Sequence, residues 1–461
     1  MEKEQILQEL YRKYIAPTCR RREHLIGVEI EMPVVNLAKE AVDFSVVHAL
    51  TAAFCERFGF RTIGVDDDGC VNAAQNPENG DILSYDCSYN NLELSFGAER
   101  SLNEIHGRFV EYYTFIEAFL GHSNYTLTGM GVNPYRQYNR NVPIPNGRYR
   151  MLFHHLHSYR NYPGLLDFHP YPAFGTFASA SQVQLDVDFE RLPQTLNVME
   201  RLEPLKALLF SNSVLPEYDP DLLCCRDLFW EKSTHGLNPR NIGMYGREFH
   251  TADEVLDYIA GTSIYCVERG DRYINFPPMV ITDYLQSDAV EGEYFDGTGY
   301  RSVTVRPKPE DLAYLRTFKF EDLTFRGTIE FRSSCNQPIG EALTIAAFHL
   351  GLMERVDELQ AILDADRAVY NRGLSPARLR QLFVRRNLPE CLDEDAVYAL
   401  LGKVTDLARE GLVSRKYGEE RFLEPLYGRI LNHTNPARTM MDALENGAPI
   451  EEFITEYAKI S

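Results

Sequence analysis

The segment that most constrains the fold is residues 26–33, in which apolar residues alternate with two glutamates. This alternation predicts a β-strand, and in a strand Glu29 and Glu31 point the same way, roughly 6.5–7 Å apart. Two carboxylates on one face repel each other and resist burial unless a cation lies between them. Mg²⁺ is a suitable cation because it takes oxygen ligands. A solvated edge strand is the alternative interpretation of this segment taken alone.

Three later segments have the same design, an apolar face opposite a face of acids and amides. They are residues 90–96, 180–187 and 325–332, and their polar residues include Glu93, Ser95, Gln182, Gln184, Asp186, Glu330 and Arg332. An antiparallel sheet that is wet on one face is ordinary. A wet face usually carries lysine, threonine and mixed charge, whereas this one is mostly acids and amides. The pattern therefore favours a concave sheet that binds divalent metal and a phosphorylated group.

Size and charge exclude some classes of protein. The chain has 461 residues, of which 44% are hydrophobic, so it can bury a large core. Its formal net charge is -20, which argues against non-specific binding to nucleic acid. We expect small-molecule partners rather than nucleic acid.

The cysteines and the apolar runs indicate a cytoplasmic protein. The nine cysteines are scattered and form no Cys-x-x-Cys pair, as in a reduced cytosolic protein. The first residues predict an amphipathic helix without the apolar core of a signal peptide. No apolar run approaches the ~20 residues of a membrane span.

Periodicity predicts an α+β organisation. Further strands are expected at 126–131 and 264–267, a hairpin or ordered loop at 64–82, a rigid turn at 143–150 and irregular structure at 214–250. Helices are predicted at 1–15, 43–58, 102–120, 193–210, 252–259, 341–364, 376–386, 394–410, 437–445 and 450–458. We expect a catalytic sheet-and-helix core over residues 1–340, with a helical part, residues 341–461, packed on the same domain.

Several common catalytic motifs are missing from the sequence. There is no phosphate-binding Gly-x4-Gly-Lys-[Ser/Thr] loop, no dinucleotide fingerprint, no zinc-protease helix and no Gly-x-Ser-x-Gly elbow. An enzyme of this kind that uses a nucleotide would hold the phosphates through metal ions and arginine.

A series of motifs resembles the second glutamate–cysteine ligase family, the plant and proteobacterial type within the carboxylate–amine ligase superfamily. The motifs keep the family's order between residue 26 and about residue 355. They are Ile-Gly-Val-Glu-Ile-Glu at 26–31, Asn-Leu-Glu-Leu-Ser at 91–95, Pro-Asn-Gly-Arg-Tyr at 145–149, Gln-Val-Gln-Leu-Asp at 182–186, Arg226 with Trp230, Asn-Ile-Gly-Met at 241–244, Ser-Ile-Tyr at 263–265 and Thr-Ile-Glu-Phe-Arg at 328–332.

The resemblance implies a fold and a reaction. The fold would be glutamine-synthetase-like, a curved antiparallel sheet with helices on its outer face and a helical C-terminal part. The reaction would phosphorylate the γ-carboxylate of L-glutamate with ATP and then join it to L-cysteine. Its products would be γ-glutamylcysteine, ADP and phosphate, within glutathione biosynthesis. ATP would be a co-substrate and Mg²⁺ (or Mn²⁺) the cofactor.

The resemblance also implies site residues. The metal ligands would be Glu29, Glu31, Glu93 and Glu330. Gln182, Gln184 and Arg332 would contact the nucleotide or its metal-bound water, with Arg332, Glu330 and Arg226 acting in catalysis. Arg148, Arg226, Tyr265, Ser95 and Trp230 would contact the amino-acid substrates. Ion pairs remain open alternatives for the three arginines, and simple packing remains open for Tyr265 and Trp230.

The sequence departs from the family pattern at three places. Ile30 stands where histidine is usual, Met32-Pro33 where Lys-Phe is common, and residues 333–338 lack the usual small-acid-glycine run. We expect these positions near the substrate pocket, which leaves the identity of acid and amine open. A ligase for another amine, a non-catalytic regulatory paralogue and, as a lesser option, a phosphotransferase on the same sheet are the alternatives. The oligomeric state, monomer or homodimer, is open as well.

Overall fold

The structure is a computed structural model that describes residues 1–460. Its strands, numbered in chain order, are β1 (Ile26–Asn36), β2 (Arg61–Val65), β3 (Val71–Gln75), β4 (Ile82–Tyr85), β5 (Asn91–Glu99), β6 (Tyr125–Leu127), β7 (Ser181–Asp186), β8 (Ile242–Gly243), β9 (Ser263–Arg269), β10 (Arg272–Val280), β11 (Val290–Phe295), β12 (Tyr300–Val305), β13 (Phe318–Lys319), β14 (Glu321–Leu323) and β15 (Thr328–Phe331).

The α-helices alternate with these strands and then follow them to the end of the described chain. They are α1 (Lys3–Leu10), α2 (Phe44–Phe58), α3 (Leu102–Gly121), α4 (Gly147–His157), α5 (Leu192–Phe210), α6 (Cys225–Glu231), α7 (Ala252–Ala260), α8 (Ile281–Gln286), α9 (Thr344–Met353), α10 (Val356–Ala365), α11 (Pro376–Phe383), α12 (Glu394–Arg415), α13 (Glu424–Leu431), α14 (Pro436–Glu445) and α15 (Ile450–Glu456). None of the helices within residues 1–460 is both long and apolar enough to cross a bilayer.

The largest sheet in residues 1–460 is antiparallel and has β1 at its centre. Its order is β14-β15-β7-β1-β5-β4-β3-β2, with β6 paired to the end of β1. The sheet is open, since β14 and β2 lie at opposite edges and do not pair with each other. The predicted α+β fold with an antiparallel sheet is confirmed.

A second sheet was largely missed by the sequence analysis. Strands β9 to β12 form an antiparallel meander, of which only the part at 264–267 was predicted. At 64–82 the structure has the hairpin of the two predicted alternatives, formed by β2 and β3, and β4 begins at Ile82. These strands are short or rich in small and polar residues, so period-2 alternation is weak in them.

The apolar faces of the predicted strands form the core. Ile30 and Met32 of β1 are fully buried and belong to the main hydrophobic cluster, together with Leu94 of β5 and Val183 of β7. Helices α2, α3 and α9 pack against strands of this sheet. Ile30 and Met32 therefore point into the core, away from the glutamates, so the expectation that they lie near the substrate pocket is wrong for these two residues. Pro33, two residues after Glu31 in β1, shares the face of the glutamates.

The predicted helix at 341–364 is two helices. α9 ends at Met353 and α10 starts at Val356, with Arg355 leaving the helical conformation at φ -135°. No proline or glycine stands at this break, so sequence signals for a helix end are absent.

One buried arginine connects the C-terminal helices to the rest of the chain. Arg380 of α11 donates to the Glu203 carboxylate (2.6 Å) and forms a two-pronged ion pair with Asp227 of α6 (2.7 and 3.0 Å). Lys206 pairs with Glu203 as well. Although burial raises the pKa of Glu203, Lys206 and Arg380 hold it at about 2, so this carboxylate stays ionised in the interior. The boundary predicted at residue 340 stays a prediction, but it is crossed by a buried ion-pair network.

Helices α9 and α12 cross at two glycines. A Cβ added to Gly351 would collide with the backbone carbonyl of Ala408, and one added to Gly411 would collide with the carbonyl of Gly351. The two backbones are therefore in direct contact, and only glycine fits at these positions.

We expect Gly351→Ala to lower the free energy of unfolding by about 1–3 kcal/mol, because the added methyl group forces the two helices apart. Gly402→Ala is the control, since Gly402 is another helical glycine, in α12, and its Cβ would meet only the Ile430 Cγ2 atom at 4.0 Å. Chemical denaturation of both variants measures the effect. Equal stability of Gly351→Ala and the wild type would contradict the packing described here.

Candidate active site

The register of the sheet places the predicted glutamates on one face. Glu31 of β1 lies opposite Glu93 of β5, and Glu29 lies between Ser95 and Gln182 on the two neighbouring strands. One strand further, Glu330 of β15 lies opposite Gln184 of β7. Residues two apart in a strand share a face, so the four glutamates and two glutamines form one polar patch.

Hydrogen bonds fix two of these carboxylates. Glu31 accepts from the backbone N–H of Ala180 (2.8 Å) and from Nε2 of Gln182 (3.0 Å), and only 6% of Glu31 is exposed. The other end of that amide, Oε1 of Gln182, is buried with no hydrogen-bond partner among residues 1–460. Ser95 donates to Glu93 (2.6 Å). A free, buried amide oxygen beside a carboxylate is a further oxygen donor for a cation.

Gln184 and Arg332 organise the remaining pair. Nε2 of Gln184 donates to Glu330 (2.7 Å) and more weakly to Glu29 (3.3 Å). Arg332 forms an ion pair with Glu330. The ion pair left open for Arg332 by the sequence is therefore present, and it lies inside the polar patch.

The patch carries more negative charge than its neighbours neutralise. Burial, then the charges of Glu93 and Glu330, raise the pKa of Glu29 to about 8. Burial, then Asp86 and Glu93, raise the pKa of Glu31 well above its usual value. Burial and Asp86 raise the pKa of Glu93 too. Such shifts are expected where like charges are buried together without a cation.

The geometry indicates what kind of ion fits. In residues 1–460, the group of metal-ligating side chains whose donor atoms all lie within 4.8 Å of one another is His48, Asp66 and Cys70, not the glutamates. The glutamates are spread over the sheet and do not form an all-protein cage. Mg²⁺ is commonly held by one or two carboxylates plus phosphate oxygens, so the spacing fits a metal bound together with a nucleotide.

Arg148 is an unpaired cation at the edge of the patch. It lies in the first turn of α4, where the Asn146 side chain accepts from the Tyr149 N–H (2.9 Å) and fixes the helix start. Within residues 1–460 its guanidinium forms no hydrogen bond or ion pair, but it is close enough to lower the pKa of Asp86, which burial raises. A free guanidinium beside the acidic face is available to bind an oxyanion.

Arg226 has a different environment. It is 7% exposed and donates to the backbone carbonyls of Ser334 (2.8 Å) and Ser333 (3.3 Å). The surface ion pair that the sequence left open for Arg226 is thus not its arrangement. Arg226 holds the buried segment 333–337 that follows β15, which is the third place where the sequence departs from the family pattern.

Aromatic side chains lie beside the patch. Trp230 stacks on Phe318 (ring centroids 4.5 Å apart), and Phe318 in turn contacts the guanidinium of Arg332 (5.7 Å). Tyr265 is buried and stacks on His155 (3.8 Å). Tyr265 lies close enough to Arg148 and Arg316 for both to lower its pKa, which burial raises.

The sequence analysis missed charged residues around the patch. Asp86 follows β4 and adds to the charge near Glu31 and Glu93. Asp322 lies opposite Glu330 on β14, and Arg326 donates to Gln184 (3.1 Å). Asp86 lies in a turn and Asp322 in a three-residue strand, where alternation gives no signal. Arg326 falls within the strand predicted at 325–332, on the face of Glu330, and the structure places it in the loop just before β15. Asp322 could have been assigned to the polar face only if strand β14 had been predicted, because that strand pairs it with Glu330.

Comparison with known proteins gives the family. The model described as Glutamate-cysteine ligase family 2 (GCS2) matches residues 25–458. The chloroplastic glutamate–cysteine ligase of Arabidopsis thaliana is 23% identical over an alignment of 454 residues, and the alignment covers 93% of this chain and 78% of the relative. That of Nicotiana tabacum is 21% identical over 448 residues, with the same coverage of 93% and 78%.

A solved structure gives the same fold. The glutamate–cysteine ligase of Francisella tularensis, in complex with AMP, is similar with a TM-score of 0.50 and 13% identity, covering 95% of this chain and 88% of that one. At this identity the similarity concerns the fold alone. The family model, by contrast, covers all four glutamates and nearly the whole sequence, so the chain belongs to glutamate–cysteine ligase family 2.

Proposed function

We propose that this ATP-dependent ligase phosphorylates the γ-carboxylate of L-glutamate and joins it to the amine of L-cysteine. The observation that carries the proposal is one sheet face with four glutamates, in a family 2 chain. Burial and neighbouring carboxylates raise the pKa values of three of them, Glu29, Glu31 and Glu93. The products are γ-glutamylcysteine, ADP and phosphate.

The acidic patch is the proposed metal site. Glu29, Glu31, Glu93 and Glu330 would hold Mg²⁺ or Mn²⁺, with Oε1 of Gln182 as an additional oxygen donor. The metal supplies positive charge that binds the ATP phosphates and polarises the transferring phosphoryl group. Gln184 orients Glu29 and Glu330 by donating to both.

Arg332 is the proposed electrostatic group at the transferring phosphoryl. Arg332 directly follows β15. The ion pair with Glu330 holds its guanidinium, and Phe318 packs against it. A fixed cation in a partly buried site stabilises charge that develops in the transition state and needs no reorganisation during the reaction.

Arg148 is the proposed group for the carboxylate of the acid substrate. Among the three predicted arginines, Arg332 is paired with Glu330 and Arg226 is occupied by backbone carbonyls. Arg148 alone of the three keeps its donors for a ligand. Arg226 would then position the segment after β15 rather than touch substrate.

The remaining predicted residues have supporting roles. Ser95 orients the Glu93 carboxylate. Tyr265 places its phenol near Arg148 and Arg316. Trp230 buttresses Arg332 through Phe318. Ile30 and Met32 face the core, so these two changes from the family pattern do not alter the substrate face, which favours the family's own substrates over another amine. Pro33 is on the face of the glutamates.

We expect purified protein with Mg-ATP and L-glutamate to release ADP when L-cysteine is added, with γ-glutamylcysteine detected by mass spectrometry. Each amino acid and a panel of amines are tested singly in the same assay. Stimulation by another amine alone would assign a different acceptor. No ADP release with any pair, from folded protein that binds ATP, would favour a regulatory role.

Glu330→Gln provides the variant for that assay. The amide keeps the size of the side chain but removes the charge that Arg332 and a metal would use, so kcat should fall by at least about 100-fold. Glu111→Gln, on the exposed face of α3, should retain the wild-type rate. A wild-type rate in Glu330→Gln would remove this residue from the site.

Arg148→Ala should raise KM for glutamate far more than KM for ATP. Loss of a charge-assisted contact costs about 1.5–3 kcal/mol, which corresponds to an increase of about 10–100-fold. Arg150→Ala is the matched control, because Arg150 lies two residues further along α4 but pairs with the exposed Asp67. An unchanged KM for glutamate in Arg148→Ala would make Arg148 structural.

Removal of metal should destabilise the protein more at high pH than at low pH. The pKa of Glu29 is raised to about 8, and that of an unfolded glutamate is about 4.3. The folded protein then binds more protons than the unfolded chain between these values, and its stability falls as pH rises through that window.

A bound cation offsets this loss. The increase in Tm on replacing EDTA by Mg²⁺ should therefore be larger near about pH 8.5 than near about pH 6, as measured by differential scanning fluorimetry. In Glu29→Gln the difference between the two pH values should shrink. An equal increase in the wild type at both pH values would argue against a metal on this face.

A further inference from the structure

A second group of metal-ligating side chains lies outside the glutamate patch. It consists of His48 in α2 and Asp66 and Cys70 in the turn between β2 and β3, and we call it the His-Asp-Cys cluster. One ring nitrogen of His48, one carboxylate oxygen of Asp66 and Sγ of Cys70 all lie within 4.8 Å of one another. None of the three belongs to the polar patch of the candidate active site.

The turn is built so that Asp66 and Cys70 meet. Oδ1 of Asp66 accepts from the backbone N–H groups of Asp68 (3.0 Å) and Cys70 (2.8 Å), which folds the turn back on itself. The Asp66 N–H donates to the Cys70 carbonyl (2.9 Å). The positions of both side chains are therefore set by the local backbone of the five residues 66–70.

Tyr89 orients the other parts of the cluster. Its hydroxyl donates to Oδ2 of Asp66 (2.7 Å), and its ring meets the His48 ring edge-on at 4.5 Å. Hydrogen bonds to a ligating carboxylate and packing around a ligating imidazole are the usual supports of a metal site.

His48 supplies an independent observation. Its Nε2 atom is fully buried and has no hydrogen-bond partner among residues 1–460. A buried polar atom without a partner is costly and uncommon. The imidazole thus has a buried nitrogen without a partner, and one of its ring nitrogens lies within 4.8 Å of a thiol and a carboxylate.

We propose that the His-Asp-Cys cluster binds a zinc-class divalent ion. Imidazole nitrogen, thiolate sulfur and one carboxylate oxygen are the donors that Zn²⁺ prefers, whereas the all-oxygen glutamate patch suits Mg²⁺. Three protein ligands leave a fourth position of the tetrahedron for water or another small ligand. The two sites therefore differ in donor type, and each selects its own metal.

The location gives the ion a mechanical effect. It would tie α2 to the β2–β3 turn, and that turn is bound to the loop before α4, because the Asp67 N–H donates to the Pro145 carbonyl (2.8 Å). The loop leads directly to Arg148. Binding at the cluster would thus restrain the segment from which α4 begins, whatever reaction the protein catalyses.

Co²⁺ is the probe for the site, because a thiolate ligand gives it a near-ultraviolet charge-transfer band and a tetrahedral site gives it strong visible bands. The titration uses full-length protein with excess Mg²⁺, which keeps the glutamate patch occupied. Cys19 and Cys391 are exposed, so both are replaced by serine in the background protein. We expect one equivalent of Co²⁺ to bind with both signatures and Zn²⁺ to displace it.

Substitutions then test the three ligands. Cys70→Ser should abolish the charge-transfer band, and His48→Gln should weaken binding by about 100-fold or more, while Tyr89→Phe, which removes only a support, should weaken it by about 10-fold. Cys55→Ser is the matched control, since Cys55 is a partly buried thiol on the same helix as His48 and should bind normally. Circular dichroism verifies the fold of each variant.

Two results would overturn the proposal. One is a background protein that binds Co²⁺ without a thiolate band. The other is a band that survives in both Cys70→Ser and His48→Gln, which would assign the thiolate to another cysteine.

Discussion

Repulsion among carboxylates on one sheet face is the constraint on which the site depends. Glu29, Glu31 and Glu93 are held near one another by the register of β1 with β5, and burial makes their mutual repulsion expensive. The rest of the sheet compensates in part, through the amide of Gln184 and the guanidinium of Arg332. The remaining negative charge is not compensated by the protein, and the glutamates stay together because a large apolar core on the opposite face keeps the strands in place.

The parts of the site that follow from local alternation were accessible from the sequence. In β1, β5, β7 and β15 every second residue faces the core, so the polar partners Glu29, Glu93, Gln184 and Glu330 could be assigned to one face without a structure. Their neighbours could not. Asp86 and Arg316 come from segments outside the predicted strands, and their nearness is set by how distant segments pack. The break between α9 and α10 had no proline or glycine to mark it, and the meander β9–β12 was too weakly patterned.

The face of the strand on which a residue lies decides what a difference from the family motif changes. The opening motif interleaves two sets of residues, one in contact with the core and one on the polar face of the sheet. A difference at Ile30 changes the packing set, whereas a difference at Glu29 or Glu31 would change the chemistry. Segment 333–337 is a different case, since Arg226 and the side-chain amides of Asn212 and Gln337 donate to its backbone carbonyls. Internal hydrogen bonds therefore fix the backbone at this departure from the family pattern.

The ion pairs of Arg380 have a consequence for how the chain could be divided. Helix α11 supplies a cation to Glu203 of α5 and to Asp227 of α6, and α6 also carries Arg226. A fragment that ended before residue 341 would leave both carboxylates in the interior without that partner, at a cost of roughly 3–5 kcal/mol for a broken buried pair. The C-terminal helices therefore help to hold α5 and α6 in place, through Arg380. The part before residue 341 and the helices after it are thus coupled through a buried ion pair, and the helix that carries Arg226 takes part in that coupling.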